Sequence, residues 1–350
     1  MRVAHCIAFT SDFAHCRQET WDARHLQATL RAETSMSLRK SFLANTLLSI
    51  VLLSASRVLS QDSLLAHPAA SADLNQFAVK AELGDPSAQF QLGFRLMQGL
   101  GVAVDFPEAA KWYNLAAAQG SAEANFGLGY LYELGKGVVQ DYRRAADYYR
   151  AAAEQGNAMA ANNLASMYRH GRGVSKDLRQ AVRWYTIAAQ GGDPTAQCNL
   201  ASLYFSGKEV PRDYDLAAKW FRAAAEQGLP AAQNNLAYMY FNGAGVPPDY
   251  SEAARWTRRA ASLGYPLAQT DLGFLYEQGK GVPLDYTAAY RWYTLAAKGG
   301  DSRSVERLKS LSRLMAPRQL AQAKTLADNW LPAQSSSPSN DPRRADSLEH

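Results

Sequence analysis

Between residues 84 and 299 the chain writes one 36-residue pattern six times without insertion or deletion, opening at Gly84, Gly120, Gly156, Gly192, Gly228 and Gly264. Gly300 opens a seventh, degenerate copy. Alanine stands four residues into every unit (Ala88, Ala124, Ala160, Ala196, Ala232, Ala268) and leucine eight residues in (Leu92, Leu128, Leu164, Leu200, Leu236, Leu272). A period of this size marks a supersecondary unit that cannot bury its apolar face alone and stacks on copies of itself. The constant positions are then core and caps, and recognition has to be sought at positions that vary.

Each unit reads as two helices. In the second unit Ala124, Leu128, Leu131 and Tyr132 are spaced i, i+4, i+7 and i+8, one face of a helix. Ser121, like Asp85, Asn157 and Asp193, has the chemistry of an N-cap. Pro86, Pro194, Pro230 and Pro266 stand at the first helical position, where a missing N–H costs nothing. Gly135 and its equivalents end the helix, because glycine enters the left-handed region without a steric penalty. After a Gly–Val turn, Asp141 and its equivalents (Asp105, Asp177, Asp213, Asp249, Asp285) cap a second helix, and Asp105…Glu108 and Asp249…Glu252 have capping-box spacing. That helix carries Ala145, Tyr148, Tyr149, Ala152 and Ala153 on one face. Five units place Trp at the twenty-eighth position (Trp112, Trp184, Trp220, Trp256, Trp292), a ring expected to fill the groove between hairpins.

The expected fold is all-α: an α-solenoid of six 36-residue antiparallel helical hairpins (84–119, 120–155, 156–191, 192–227, 228–263, 264–299). Over 300–331 two further apolar stripes, Val305–Leu308–Leu311–Leu314 and Leu320–Ala323–Leu326–Trp330, predict a capping helix pair. Residues 61–83 read as a linker and an N-terminal capping helix. Residues 332–350, rich in Ser, Pro and Asp, read as a disordered tail.

The pattern A-x-x-x-L-G-x-L-Y-x-x-G-x-G-V-x-x-D-x-x-x-A-x-x-W-Y-x-x-A-A-x-x-G resembles the Sel1-like repeat family, relatives of the tetratricopeptide repeat. The resemblance covers 216 of the 350 residues. It implies scaffold or adaptor work, a curved helical surface that binds a protein or peptide, in bacteria often within the envelope. Cysteine-rich exported members of the family imply a penicillin-binding or β-lactamase-like alternative. Those members carry a cysteine pair in each repeat, which this chain lacks.

The N-terminus supplies an address. Arg39-Lys40 precede a mostly apolar run over 42–55 and then small residues, the order of a signal peptide, which is expected over 36–60. The run of about 14 residues is short for a span of roughly 30 Å; an uncleaved anchor is the alternative, and no stable span is expected in the mature chain. Residues 1–35 fit neither signal nor repeat and read as a disordered extension or a misassigned start. The leader over 1–60 holds seven Arg and Lys against four acids, so of the chain's net +5 only +2 belongs to the remainder. No basic stripe recurs at repeat spacing, and nucleic acid is not an expected partner.

Residues suited to catalysis are sparse. Of six histidines only His170 lies in the repeats, and of three cysteines only Cys198 does. No His-x-x-x-His or Cys-x-x-Cys pairing occurs, so neither a metal nor a cofactor is expected. The Gly-x-Gly turns lead into an aspartate cap whose charge repels phosphate, which argues against a phosphate cradle. The Ser37…Lys40 pair falls within the expected leader. The chain reads as a non-enzyme with no catalytic residue.

The binding surface is expected on the first helices, at the sixth, tenth and thirteenth positions, a variable stripe beside the core. Its candidate protein-binding residues are Phe90, Phe94, Tyr130, Arg169, Phe205, Tyr238, Phe241, Phe274 and Glu277. They would contact a protein or peptide on a concave face, possible cell-envelope components included; a peptidoglycan-binding module is the alternative, its aromatics stacking on sugar. A polar ladder at the seventh position (Gln91, Asn163, Asn199, Asn235, Asp271) is expected to bond to neighbouring turns.

Overall fold

The computed structural model describes residues 77–333. Residues 1–76, with the expected extension, leader and most of the linker, and residues 334–350 of the expected tail lie outside the described residues. Residues 77–82 are helical. Then come α1 Pro86–Gln98, α2 Phe106–Ala118, α3 Ala122–Leu134, α4 Tyr142–Glu154, α5 Ala158–His170, α6 Leu178–Gln190, α7 Pro194–Ser206, α8 Tyr214–Glu226, α9 Pro230–Asn242, α10 Tyr250–Ser262, α11 Pro266–Gln278, α12 Tyr286–Lys298, α13 Ser302–Leu311 and α14 Pro317–Asp328. The described residues contain no strand. They form two compact units, 77–192 and 193–333. Each is a run of antiparallel hairpins packed on one another, and in the second α13 and α14 both lie against α12. The expected all-helical solenoid with its capping pair is what the chain forms.

The caps do what their chemistry dictates. Asp85 Oδ1 accepts from the Ala88 N–H at 2.7 Å, and Ser121 and Asn157 do the same for Ala124 and Ala160. Gly99, Gly135, Gly171, Gly207, Gly243 and Gly279 close the first helices with φ between 62° and 71°. The capping boxes, however, are only half formed. Asp105 accepts from the Glu108 N–H, but the Glu108 carboxylate turns to Lys111 at 2.6 Å, and Glu252 turns to Arg255 at 2.6 Å. The reason lies in the turn. The Asp105 and Asp249 backbone N–H groups already donate to Leu96 and Tyr240 carbonyls, each at 2.9 Å, leaving nothing for the glutamate to accept.

The deepest core column is the twenty-ninth position rather than the tryptophans beside it. Tyr113, Tyr149, Tyr185, Phe221 and Tyr293 are fully buried, while Trp220 is only half-buried. Tyr113 is gripped by glycines of two hairpins: a Cβ on Gly93 or Gly127 would stand 2.8 or 2.7 Å from its ring. Tyr149 presses on Gly129 and Tyr293 on Gly273 in the same way. Glycine in mid-helix costs about 1 kcal/mol relative to alanine; here it makes room for a buried phenol ring worth more than that in apolar burial.

Periodic hydrogen bonds stitch hairpin to hairpin within each unit. Gln89, Gln233 and Gln269 donate to the Ala81, Ala225 and Ala261 carbonyls of the preceding helix at 3.1–3.2 Å. Arg150 reaches Tyr168, Arg222 reaches Tyr240 and Arg258 reaches Tyr276. The polar ladder thus stands at the fifth position, two residues before the one expected. In these hairpins the fifth residue faces the end of the preceding second helix and adds a second donor to a carbonyl that already accepts from the opening glycine's N–H (Gly84, Gly228, Gly264). At the C-terminal end Trp330 meets Trp292 edge-on at 6.3 Å, and the Ala333 N–H donates to Ser262 O at 2.7 Å.

Candidate recognition face

The variable stripe divides into packing residues and surface residues. Phe94 and Arg169 are buried, 7% and 8% exposed, and so leave the reading surface expected for them. Phe94 is pulled into the core of the first hairpins and touches Phe90 at 6.2 Å, and Phe90 itself stacks on Tyr113 at 5.8 Å. Glu277 is half-buried and accepts from the Tyr293 hydroxyl at 2.6 Å, with Arg307 3.6 Å away. Glu133 serves Tyr149 identically at 2.8 Å, and Met97 Sδ serves Tyr113 at 3.8 Å. In these three hairpins the thirteenth residue is the partner of the buried tyrosine at the twenty-ninth, a pairing visible in the sequence but not read from it.

The half-buried rings that remain are Tyr130 in the first unit and Phe205, Tyr238, Phe241 and Phe274 in the second. The latter four pair across neighbouring first helices. Phe205 (α7) meets Tyr238 (α9) at 5.7 Å, and Phe241 (α9) meets Phe274 (α11) at 6.2 Å. Lys136 lies 5.6 Å from the Tyr130 ring and Lys280 lies 4.9 Å from that of Phe241, both from turns. Cys198 is 2% exposed, inside the core of the fourth and fifth hairpins. The described residues hold no group of three or more His, Cys, Asp or Glu placed to hold a metal ion.

One junction departs from the rest. Where five units bury an aromatic ring at the twenty-ninth position, the fifth has Thr257. The space the ring would occupy is partly refilled, leaving a hollow of about 20 Å³ lined by Asn234, Tyr238, Phe241, Thr257, Asp271 and Phe274 with three apolar neighbours. Asn234 Nδ2 donates to Asp271 Oδ2 at 3.1 Å, and Asn234 Oδ1 is buried without a partner. Burial pushes the Asp271 carboxyl up to about 7, against the pull of Asn234 and of the Arg303 charge; the Asp301 charge adds to the rise.

A family model for the Sel1 repeat matches residues 86–121, 122–157, 158–193, 194–229, 230–265 and 266–301. The chain belongs to the Sel1 repeat family. The family frame starts at the first helical residue of each hairpin, two residues after the opening glycine. Among solved structures this Sel1 chain is similar to a protective antigen of uropathogenic Escherichia coli that displays an SLR fold, with 32% identity, a TM-score of 0.71 and 83% of this chain covered. The match spans 65% of that protein's chain, just under two thirds of its length. It is also similar to a Sel1 repeat protein from Oxalobacter formigenes, at 33% identity and TM-score 0.59, covering 62% of this chain and 89% of the other. No curated protein sequence matches. Thr257 and Asp271, the residues that set the hollow apart in this Sel1 chain, were not among the expected site residues. The break in the twenty-ninth column was the available signal.

Proposed function

We propose that this Sel1 protein is an exported, non-enzymatic adaptor that binds a protein or extended peptide on the first-helix face of its hairpins. The observation that carries the reading is the set of half-buried rings Phe205, Tyr238, Phe241 and Phe274, paired across adjacent first helices. Aromatic rings add contact area at little entropic cost and are enriched at protein interfaces. Sel1 repeats in general point to protein partners. Export rests on the charge and hydropathy order over residues 36–60 alone; no helix among the described residues is long and apolar enough to cross a membrane.

Capture of a partner from envelope extract, with wild type beside a Tyr130→Ala/Tyr238→Ala/Phe274→Ala variant, tests the face. Loss of the captured protein in the variant supports it, and equal recovery refutes it. Co-sedimentation of wild type with purified sacculi, where no protein is captured, would favour the glycan reading. An alkaline phosphatase fusion to residues 36–70 tests the address separately: periplasmic activity is expected, and its absence removes envelope partners.

A further inference from the structure

The Thr257 hollow combines three features that one ligand chemistry satisfies together. Its free space of about 20 Å³ suits a group the size of one water molecule. Its polar lining is acceptor-rich, with the unpartnered Asn234 Oδ1 beside the buried Asp271 carboxyl. Its walls include the rings of Tyr238, Phe241 and Phe274, whose faces attract cations. Two of these rings already hold cations of the chain, Lys280 at 4.9 Å from Phe241 and Arg307 at 5.8 Å from Phe274.

We propose that the hollow seats a primary ammonium group, the head of a lysine-type side chain on the bound partner. The proposal rests on the recognition-face reading above and names what that face selects. A compact ammonium fits where a planar guanidinium would not, and its three N–H donors match a carboxylate and an amide oxygen side by side. In the other hairpins the ring at this position fills the equivalent space, so the site occurs once in the repeat array. The charged groups acting on Asp271 are Arg303 and Asp301 from the α13 region, with Asn234 facing it from α9. An ammonium would bind the carboxylate and release the carboxyl's proton, so affinity should fall as pH drops below 7.

The test titrates the full-length protein calorimetrically with n-butylammonium chloride, an Ala-Lys-Ala peptide blocked at both ends, and the same peptide with Nε-acetyl-lysine. Both amines should bind at pH 8, the acetylated peptide should not, and binding should weaken up to about 30-fold at pH 5.5. The peptide binding more tightly than butylammonium would place the source in a polypeptide side chain. Thr257→Tyr, which restores the ring of the other hairpins, and the near-isosteric Asp271→Asn should each weaken both amines at least about tenfold. Unchanged affinity in a folded Thr257→Tyr, equal binding of the acetylated peptide, or no amine binding at millimolar concentration would overturn the proposal, the last leaving the hollow a water site. A partner lost from the triple-alanine variant but retained by Thr257→Tyr would sink the ammonium site while leaving the recognition face. Partner capture unaffected by the triple variant, which also removes two walls of the hollow, would overturn both the face and the partner's ammonium.

Discussion

Replacing Gly127 by alanine sets two well-known effects against each other, and the structure decides which wins. On helix propensity alone the substitution in mid-α3 should stabilise by about 1 kcal/mol. Yet the added Cβ would stand 2.7–2.9 Å from three carbons of the Tyr113 ring on the neighbouring hairpin. Unstrained carbon contacts lie at roughly 3.5–4.0 Å, so about 1 Å of overlap must be relieved. Tyr113 is fully buried and backed by Gly93 and the Ala109 region, which leaves the ring no free direction. Overpacking of this kind costs about 1–3 kcal/mol. The net expectation is a loss of up to about 2 kcal/mol, read as a lower urea midpoint at unchanged slope. In a Tyr113→Leu background the same alanine should turn neutral or stabilising, because its obstacle has gone. A Gly127→Ala protein more stable than wild type would refute the gripped-ring account. Elsewhere the seventh position holds Gln, Asn or Asp, so consensus alone would count the change as harmless.

Asp141→Ala removes an acceptor shared by the Arg143 and Arg144 N–H groups at 3.0 Å and should cost about 1 kcal/mol, measured by thermal or urea unfolding. Asp271 carries a carboxyl raised from 3.8 to about 7 by burial, so between these values the folded chain holds a proton that the unfolded chain has released. Stability should therefore fall as pH rises from 4 to 7 and then level off, and the difference between wild type and Asp271→Asn should isolate a span on the order of a few kcal/mol. Trp292→Ala deletes the ring against which Trp330 packs and should cost about 3–5 kcal/mol, with hydrogen exchange quickening first in α13 and α14.

The hairpins were legible in the sequence because caps and periodicity are local: Asp85, Ser121, Gly99 and Gly135 need only neighbours along the chain to do their work. What the sequence did not disclose depends on neighbours across it. Glu108 has the spacing of a capping box, but the N–H it would accept belongs to a turn bond with Leu96. Phe94 shares a stripe with Phe274, yet one is core and the other half-exposed, because its surroundings differ while its register does not. Constant columns are structural only where they hold, and the twenty-ninth lapses at Thr257. A constant column that fails once creates space at that point, and Asp271 and Asn234 are exposed to it only because the missing ring would have covered them. In a stacked array the informative residue can therefore be the lapse in a core column rather than the variation beside it. The chemistry of the site then belongs to residues one repeat away, which no reading of a single unit brings together.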